Sequence, residues 1–330
     1  MTDLPAAAQQ PAPPEAVAFA SFAQLRAAVR TEVAKVVVGQ EPFVDATLAA
    51  MAVGGHLLLQ GPPGVAKTLL ASALAKAAGL ESRRAQFTPD MLPSDLTGTL
   101  MLRGAELAFR PGPVFTNILL ADEVNRTPPK TQAALLEAMQ ERQVTVDGVA
   151  HHLPDPFTVL ATLNPIEYEG TYPLPEAQLD RFLMRLSIGY PSADQEEALL
   201  RLPHRGVMPR TLADVVPVGG PAQLAAARRE VDAVAVSDAA FAYVTRVVRR
   251  TRELPSVTLG ASPRAGVHLL AAAKAWACLA GRDYVLPDDI AALAGPVLCH
   301  RLVLSPEAEL DRYTPEQAVA AVLASVPVPR

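Results

Sequence analysis

Gly61-Pro62-Pro63-Gly64-Val65-Ala66-Lys67-Thr68 follows a short apolar run, Leu57–Leu59 and Gln60. A turn so poor in side chains lets backbone N–H groups close around an anion as the next helix begins. In that arrangement the loop holds phosphates, Lys67 reaches the β/γ oxygens of a nucleoside triphosphate, and Thr68 ligates magnesium. The strict pattern has glycine where Ala66 stands, and a Cβ fits there if φ is negative. By itself the stretch also reads as an ordinary strand-to-helix turn.

A second group of residues makes the phosphate reading the stronger one. Four apolar residues, Ile118 to Ala121, end in Asp122 and Glu123. In open α/β sheets ligands bind outside the carboxyl ends of the strands, where this pair falls. Asp122 would hold magnesium through water and Glu123 would polarise an attacking water. Asn164 ends the next predicted strand and can orient that water, although an Asn before Pro165 is also a common turn. Arg181 precedes a further strand. It faces solvent as most arginines do, or else reaches a nucleotide on a neighbouring subunit, where such a finger is worth roughly 10³ to 10⁵ in rate. Arg264 stands one residue past Pro263 at a helix N-terminus, where the dipole prefers an anion, and this suggests a γ-phosphate contact.

The elements that must position these residues are legible from hydrophobic pattern. Phe22, Leu25, Val29 and Val33 keep helical spacing, Gly39 and Gln40 mark a turn, and a second helix runs through Val44 and Leu48. A strand at 56–60 feeds the phosphate loop, and its helix, about 67–79, stops at Gly79. Strands at 117–123, 157–164 and 182–188 carry the continuous apolar runs of a parallel sheet, which predicts a doubly wound α/β domain. Scattered Pro and Gly over 191–225 read as a linker. Beyond it the pattern is almost purely helical, with Phe241, Val244 and Val248 on one face. Ser262 N-caps a helix that runs to Gly281, and another starts near Pro287 with Asp288 and Asp289 in its first turn. The chain thus divides into an Ala/Pro-rich tail at 1–20, read as disordered, an α/β core at 21–190, the linker, and a small all-α lid at 226–330.

Bulk properties are permissive. With 330 residues, half of them hydrophobic, the chain can bury a larger and a smaller core. Its 34 acidic and 29 basic residues leave a net charge of −5, so nothing global favours nucleic acid. Cys278 and Cys299 lack metal-ligand spacing and read as buried thiols of a reducing cytosol. No apolar stretch reaches the roughly 18 residues of a membrane helix, and the N-terminus lacks a signal peptide's pattern, so the expectation is a cytoplasmic protein.

In this order the motifs resemble the AAA+ ATPases, specifically the MoxR family. The resemblance rests on "GPPGVAKT", "ILLADEVNRTPPKTQAALLEAMQE", "ATLNPIEYEGTYPLPEAQLDRF", "GASPRAG" and "GRDYVLPDDIAALAGPVLCHRL", and covers nearly all of the chain after residue 20. It implies that Lys67 and Thr68 are Walker A residues, that Asp122 and Glu123 are Walker B, that Asn164 is sensor 1, Arg181 the arginine finger and Arg264 sensor 2, and that Gly39 and Gln40 sit near the adenine. Ala66 looks like the family's own variant. The resemblance further implies a second-helix insert at 88–115 and a hairpin at 142–153 turning at Asp147-Gly148. His151 and His152 would then point to opposite faces, which disfavours a shared metal ion.

The function that the resemblance implies is magnesium-dependent ATP hydrolysis by a hexameric ring that remodels or matures protein clients, often beside proteins with a von Willebrand factor A domain. One rival is a nucleotide-gated binding module with little turnover, which would need neither Glu123 nor Arg181. A nucleic-acid motor is another, opposed by the acidic tip at Asp147-Gly148. A small-molecule kinase is the weakest, since two carboxylates, an Asn and a trans Arg suit a water nucleophile.

Overall fold

The parallel sheet forms with one strand more than the apolar runs reveal. A computed structural model describes residues 19–62, 65–104, 106–163, 172–201 and 212–329; the tail expected at 1–20 lies almost wholly outside them. Helices α1 (Phe22–Ala34) and α2 (Glu41–Val53) lead to β1 (Leu57–Gln60), whose loop opens α3 (Lys67–Ala77). Strand β2 (Ser82–Gln86) and α4 (Pro93–Thr97) precede a hairpin of β3 (Gly98–Arg103) and β4 (Glu106–Pro111). Then come β5 (Ile118–Asp122), α5 (Pro129–Glu141) and a second hairpin of β6 (Gln143–Val146) and β7 (Val149–His152). Strand β8 (Thr158–Leu163), the short α6 (Glu176–Leu179) and β9 (Met184–Ser187) complete the α/β part.

The five-stranded sheet runs β2-β5-β8-β1-β9, parallel throughout. Side chains alternate between its faces, so each face carries its own apolar cluster. Leu57, Leu59, Ile118, Leu120 and Leu160 pack with α1, α2, α3 and the lid, whereas Leu58, Leu119, Ala121, Val159 and Ala161 pack with α5. Strand β2 has one neighbour, and its Ser82, Arg83 and Arg84 are exposed, so it shows no apolar run.

The second part comprises α7 (Ala193–Arg201), α8 (Pro221–Ala233), α9 (Asp238–Arg250), β10 (Val257–Leu259), α10 (Pro263–Leu279), α11 (Pro287–Leu298), β11 (Val303–Leu304), α12 (Pro306–Leu310) and α13 (Pro315–Ser325). It therefore holds a small antiparallel ladder, β10 with β11, besides its helices. The stretch 191–225 contains α7 and the opening of α8. Helix α9 buries Ala240, Tyr243, Val244, Val247 and Val248, one helical stripe; Phe241, expected on that face, is 47% exposed.

The two hairpins span residues 98–111 and 143–152. Asp147 and Gly148 have φ of 48° and 79°, as a two-residue turn between right-twisted strands requires. His151 stacks on Phe109 of β4 at 3.8 Å between ring centres, which joins the two hairpins. Cys278 and Cys299 are free and buried, and burial pushes their thiols up to about 12 and about 11.

Candidate active site

Lys67 opens α3, and its Nζ donates to the Gly61 carbonyl at 2.8 Å, folding the side chain back across the loop. Burial lowers its pKa, against the opposing pull of Asp122 and Glu123, so the ammonium and the acid pair share one site. No side chain caps α3, which leaves its first N–H groups to a ligand or water. Ala66 has φ of 57°, not the negative value its Cβ led us to expect. This left-handed conformation costs a residue with a Cβ roughly 1–2 kcal/mol. Gly61 is required by packing, since a Cβ there would stand 2.2 Å from the Ile188 carbonyl. Pro62 and Val65 are half-buried beside the loop and Thr68 is exposed at the helix start; Pro63 and Gly64 lie outside the described residues. Gly39, with φ of 75°, abuts the Gln195 side chain of α7, and Gln40 takes the N-cap position of α2.

Asp122 and Glu123 end β5 at the carboxyl edge of the sheet, each held from the flanking strands. Asp122 Oδ1 accepts from the Thr162 hydroxyl of β8 at 2.6 Å, and Oδ2 accepts from Arg84 Nη2 of β2 at 2.7 Å. Glu123 is left-handed, with φ of 59°, and its N–H donates to the same Thr162 oxygen at 2.8 Å. Its Oε2 accepts from Gln86 Nε2 at 2.9 Å and from Arg126 Nη1 at 3.2 Å. One threonine thus ties the two acids together. Arg84, Gln86 and Thr162 escaped the sequence reading, although β2 and β5 set Gln86 directly opposite Asp122. Hard oxygen donors beside a lysine and an uncapped helix start fit a magnesium nucleotide, and a cation taking Oδ2 would displace Arg84.

Arg181 and Arg264 lie elsewhere. Leu183 N–H donates to the His56 carbonyl at 2.8 Å, which fixes Arg181 beside the amino end of β1. The phosphate loop leaves β1 at its carboxyl end. The four residues of β1 alone separate the two edges by roughly 13 Å at the rise of an extended strand. Both arginines line one cleft of about 520 Å³ with His56, Arg142 and His268. Arg181 Nε is buried and has no hydrogen-bond partner among the described residues. Arg264, its side chain 44% exposed, has its Nε 4.0 Å from Asp180 Oδ2, a counter-charge that offsets its unfavourable place at a helix N-terminus. Ser262 occupies the N-cap position of α10 without capping it; its hydroxyl donates to Asp180 Oδ2 at 2.9 Å. The structure therefore gathers Lys67, Asp122 and Glu123 at one edge and Arg181 with Arg264 at the other. Asn164 lies outside the described residues.

A parallel sheet of this order, with a phosphate loop after β1 and an acid pair ending β5, defines a P-loop nucleoside triphosphatase with an appended lid. Residues 56–184 match the model of the ATPase family associated with various cellular activities (AAA), and residues 249–322 match the AAA lid domain. Chaperone MoxR1 of Mycobacterium tuberculosis is 43% identical over 311 residues, covering 91% of this chain and 81% of MoxR1. An uncharacterised protein of Bacillus subtilis, YeaC, is 48% identical over 297 residues, 89% of this chain and 92% of YeaC. The crystal structure of a candidate ATPase from Cytophaga hutchinsonii superposes with a TM-score of 0.87 at 41% identity, covering 93% of this chain and 96% of the other. The chain belongs to the MoxR family of AAA ATPases, and its activity is that of an ATPase.

Proposed function

We propose that the protein hydrolyses ATP with magnesium at sites shared between neighbouring subunits of a ring, and that the cycle remodels or matures partner proteins. The observation that supports this most is the separation of Lys67, Asp122 and Glu123 from Arg181 and Arg264 by the length of β1. A chain whose arginines face away from its own phosphate loop needs a second copy to complete the site.

In this reading the loop from Gly61 through Pro62, Pro63, Gly64, Val65 and Ala66 cradles the phosphates with its main chain, while Lys67 neutralises the β/γ oxygens. Thr68 and Asp122 hold magnesium, which when bound screens the phosphate charge and orients the γ-phosphate. Glu123 takes the proton of the attacking water, its main chain held by Thr162. Asn164 orients that water, and Gly39 and Gln40 lie near the adenine. Arg181 and Arg264 reach the nucleotide of the next subunit together, because they share one cleft. The name of the MoxR1 relative supports protein clients, with a von Willebrand factor A domain protein among the candidates. The proposal includes a hexameric ring and a cytoplasmic location. Among the described residues no helix is long and apolar enough to cross a membrane.

Hydrolysis per subunit, measured against protein concentration, tests the reading. The parent should gain specific activity cooperatively as it assembles. Arg181→Ala should bind ATP normally and lose that rise, with turnover down on the order of 10³-fold. Glu123→Gln should bind and not turn over. Full activity in Arg181→Ala would remove the intersubunit role. A second reading, a module with little turnover until a partner acts, is favoured by the grip of Arg84 and Gln86 on the acid pair. Flat, negligible turnover with ATP still bound would support it.

A further inference from the structure

Asp180 immediately precedes Arg181, and three lid side chains converge on its carboxylate. Oδ1 accepts from Arg301 Nε at 2.8 Å, and Oδ2 accepts from Ser262 Oγ at 2.9 Å with Arg264 Nε 4.0 Å away. Arg301, its side chain 1% exposed, follows α11 in the string "CHRL". Its guanidinium also donates to the carbonyls of Asp180 at 3.2 Å, Phe182 at 2.5 Å and Leu183 at 3.4 Å, and to that of Val297 in α11. His268 Nδ1 lies 2.6 Å from Arg301 Nη2. Since arginine only donates, His268 accepts at Nδ1 and is neutral, which agrees with the fall of its pKa to about 4 through burial. His300 Nε2 meets the Phe182 carbonyl at 3.2 Å.

One lid guanidinium therefore grips the main chain on both sides of Arg181, and the same carboxylate holds the start of the helix that carries Arg264. Burying a charge this completely is expensive, and apolar residues of similar volume often stabilise as well or better. What a planar fork with five donors adds is a single allowed geometry.

We infer that Arg301 is a positioning residue that clamps the 180–183 segment to the lid, so that Arg181 and Arg264 are presented to a neighbouring subunit as one rigid unit. This rests on the shared-site reading above. A lid rotation driven by the subunit's own nucleotide then moves its arginine pair at the next site, with no flexible link between.

A mixing experiment tests the clamp. Glu123→Gln chains keep the arginine pair but not their own turnover, and Arg181→Ala chains keep the acid but not the finger. Mixed one-to-one before nucleotide is added, about a quarter of the interfaces join an intact site to an intact finger, so about a quarter of the parent rate returns. Adding Arg301→Met to the Glu123→Gln chain should cut the recovered rate on the order of 10- to 100-fold, the cost of misplacing a catalytic group by about 1 Å. Adding it to the Arg181→Ala chain, whose finger is already gone, should leave most of the recovered rate. Asp180→Asn, which keeps shape and removes charge, is run in the same two placements and decides the matter if Arg301→Met does not fold. Equal loss in both placements would mean a merely structural role and overturn the clamp. No recovery in the starting mixture would overturn the shared site, and the clamp with it.

Discussion

Asp122 carries two partners that a magnesium ion would have to share or displace, and only one of them is itself charged. Thr162 can keep its hydrogen bond to Oδ1 while a cation approaches, because a neutral hydroxyl costs the metal little. The Arg84 guanidinium cannot stay on Oδ2 without repelling it. Arg84→Met should therefore lower the magnesium concentration that gives half-maximal nucleotide binding. The gain should be at most about fivefold, because a pair whose arginine is 50% exposed is worth no more than about 1 kcal/mol. A magnesium titration followed by fluorescent-nucleotide binding reads it, and an increased requirement would mean that Arg84 helps bind the phosphates instead. Lys67, Asp122 and Glu123 were legible in the sequence because each sits at a fixed offset inside a short motif. Arg84, Gln86, Thr162, Asp180 and Arg301 were not, because each acts across a strand pairing or a core–lid contact that no local spacing encodes. Ala66 shows a further limit, since residue type alone did not reveal its left-handed backbone.

The same division holds for whole elements. Strands β1, β5, β8 and β9 could be read from the sequence because strands central to a parallel sheet, or covered at its edge, are apolar along most of their length. The polar strand β2 stayed hidden as an exposed edge, and α7 stayed hidden within a Pro- and Gly-punctuated stretch. In α9 the stripe was set by Ala240, Tyr243 and Val247 rather than by Phe241, because an aromatic residue invites a core assignment even where the helical phase turns it outward. Stability should follow the observed stripe. Phe241→Ser should change unfolding free energy by no more than about 0.5 kcal/mol, as surface substitutions do, whereas Tyr243→Ala should cost roughly 3–5 kcal/mol. Urea unfolding of the two variants measures this, and similar losses in both would mean that Phe241 packs against something in solution.

At the scale of the molecule, three histidines are held uncharged, His56 and His300 buried and His268 half-buried, and the last two lie around the joint between core and lid. Burial, reinforced by Arg142, pushes His56 down to about 3; burial and Arg301 bring His268 to about 4 and His300 well below its ordinary value. The unfolded chain protonates these rings as pH falls through 6.5, while the folded chain resists until near 4 or lower. Stability from their neutral burial is thus complete above about 6.5 and shrinks as pH drops toward 4. Melting temperature should fall steadily from pH 7 to pH 4.5, and a flat profile over that interval would contradict these burials. The sheet's two margins also differ. Helix α11 packs against β9, closing one margin with the lid, whereas among the described residues the outer margin of β2 has no neighbouring strand. An open margin is a template on which unrelated chains can add as further strands, and charged side chains are the common defence. Arg83 and Arg84 stand on that margin exposed to solvent. Charge is the defence that this margin carries, so Arg83→Val should leave the fold intact and raise light scattering and thioflavin fluorescence as concentration increases, and unchanged scattering would mean that the margin is protected in another way.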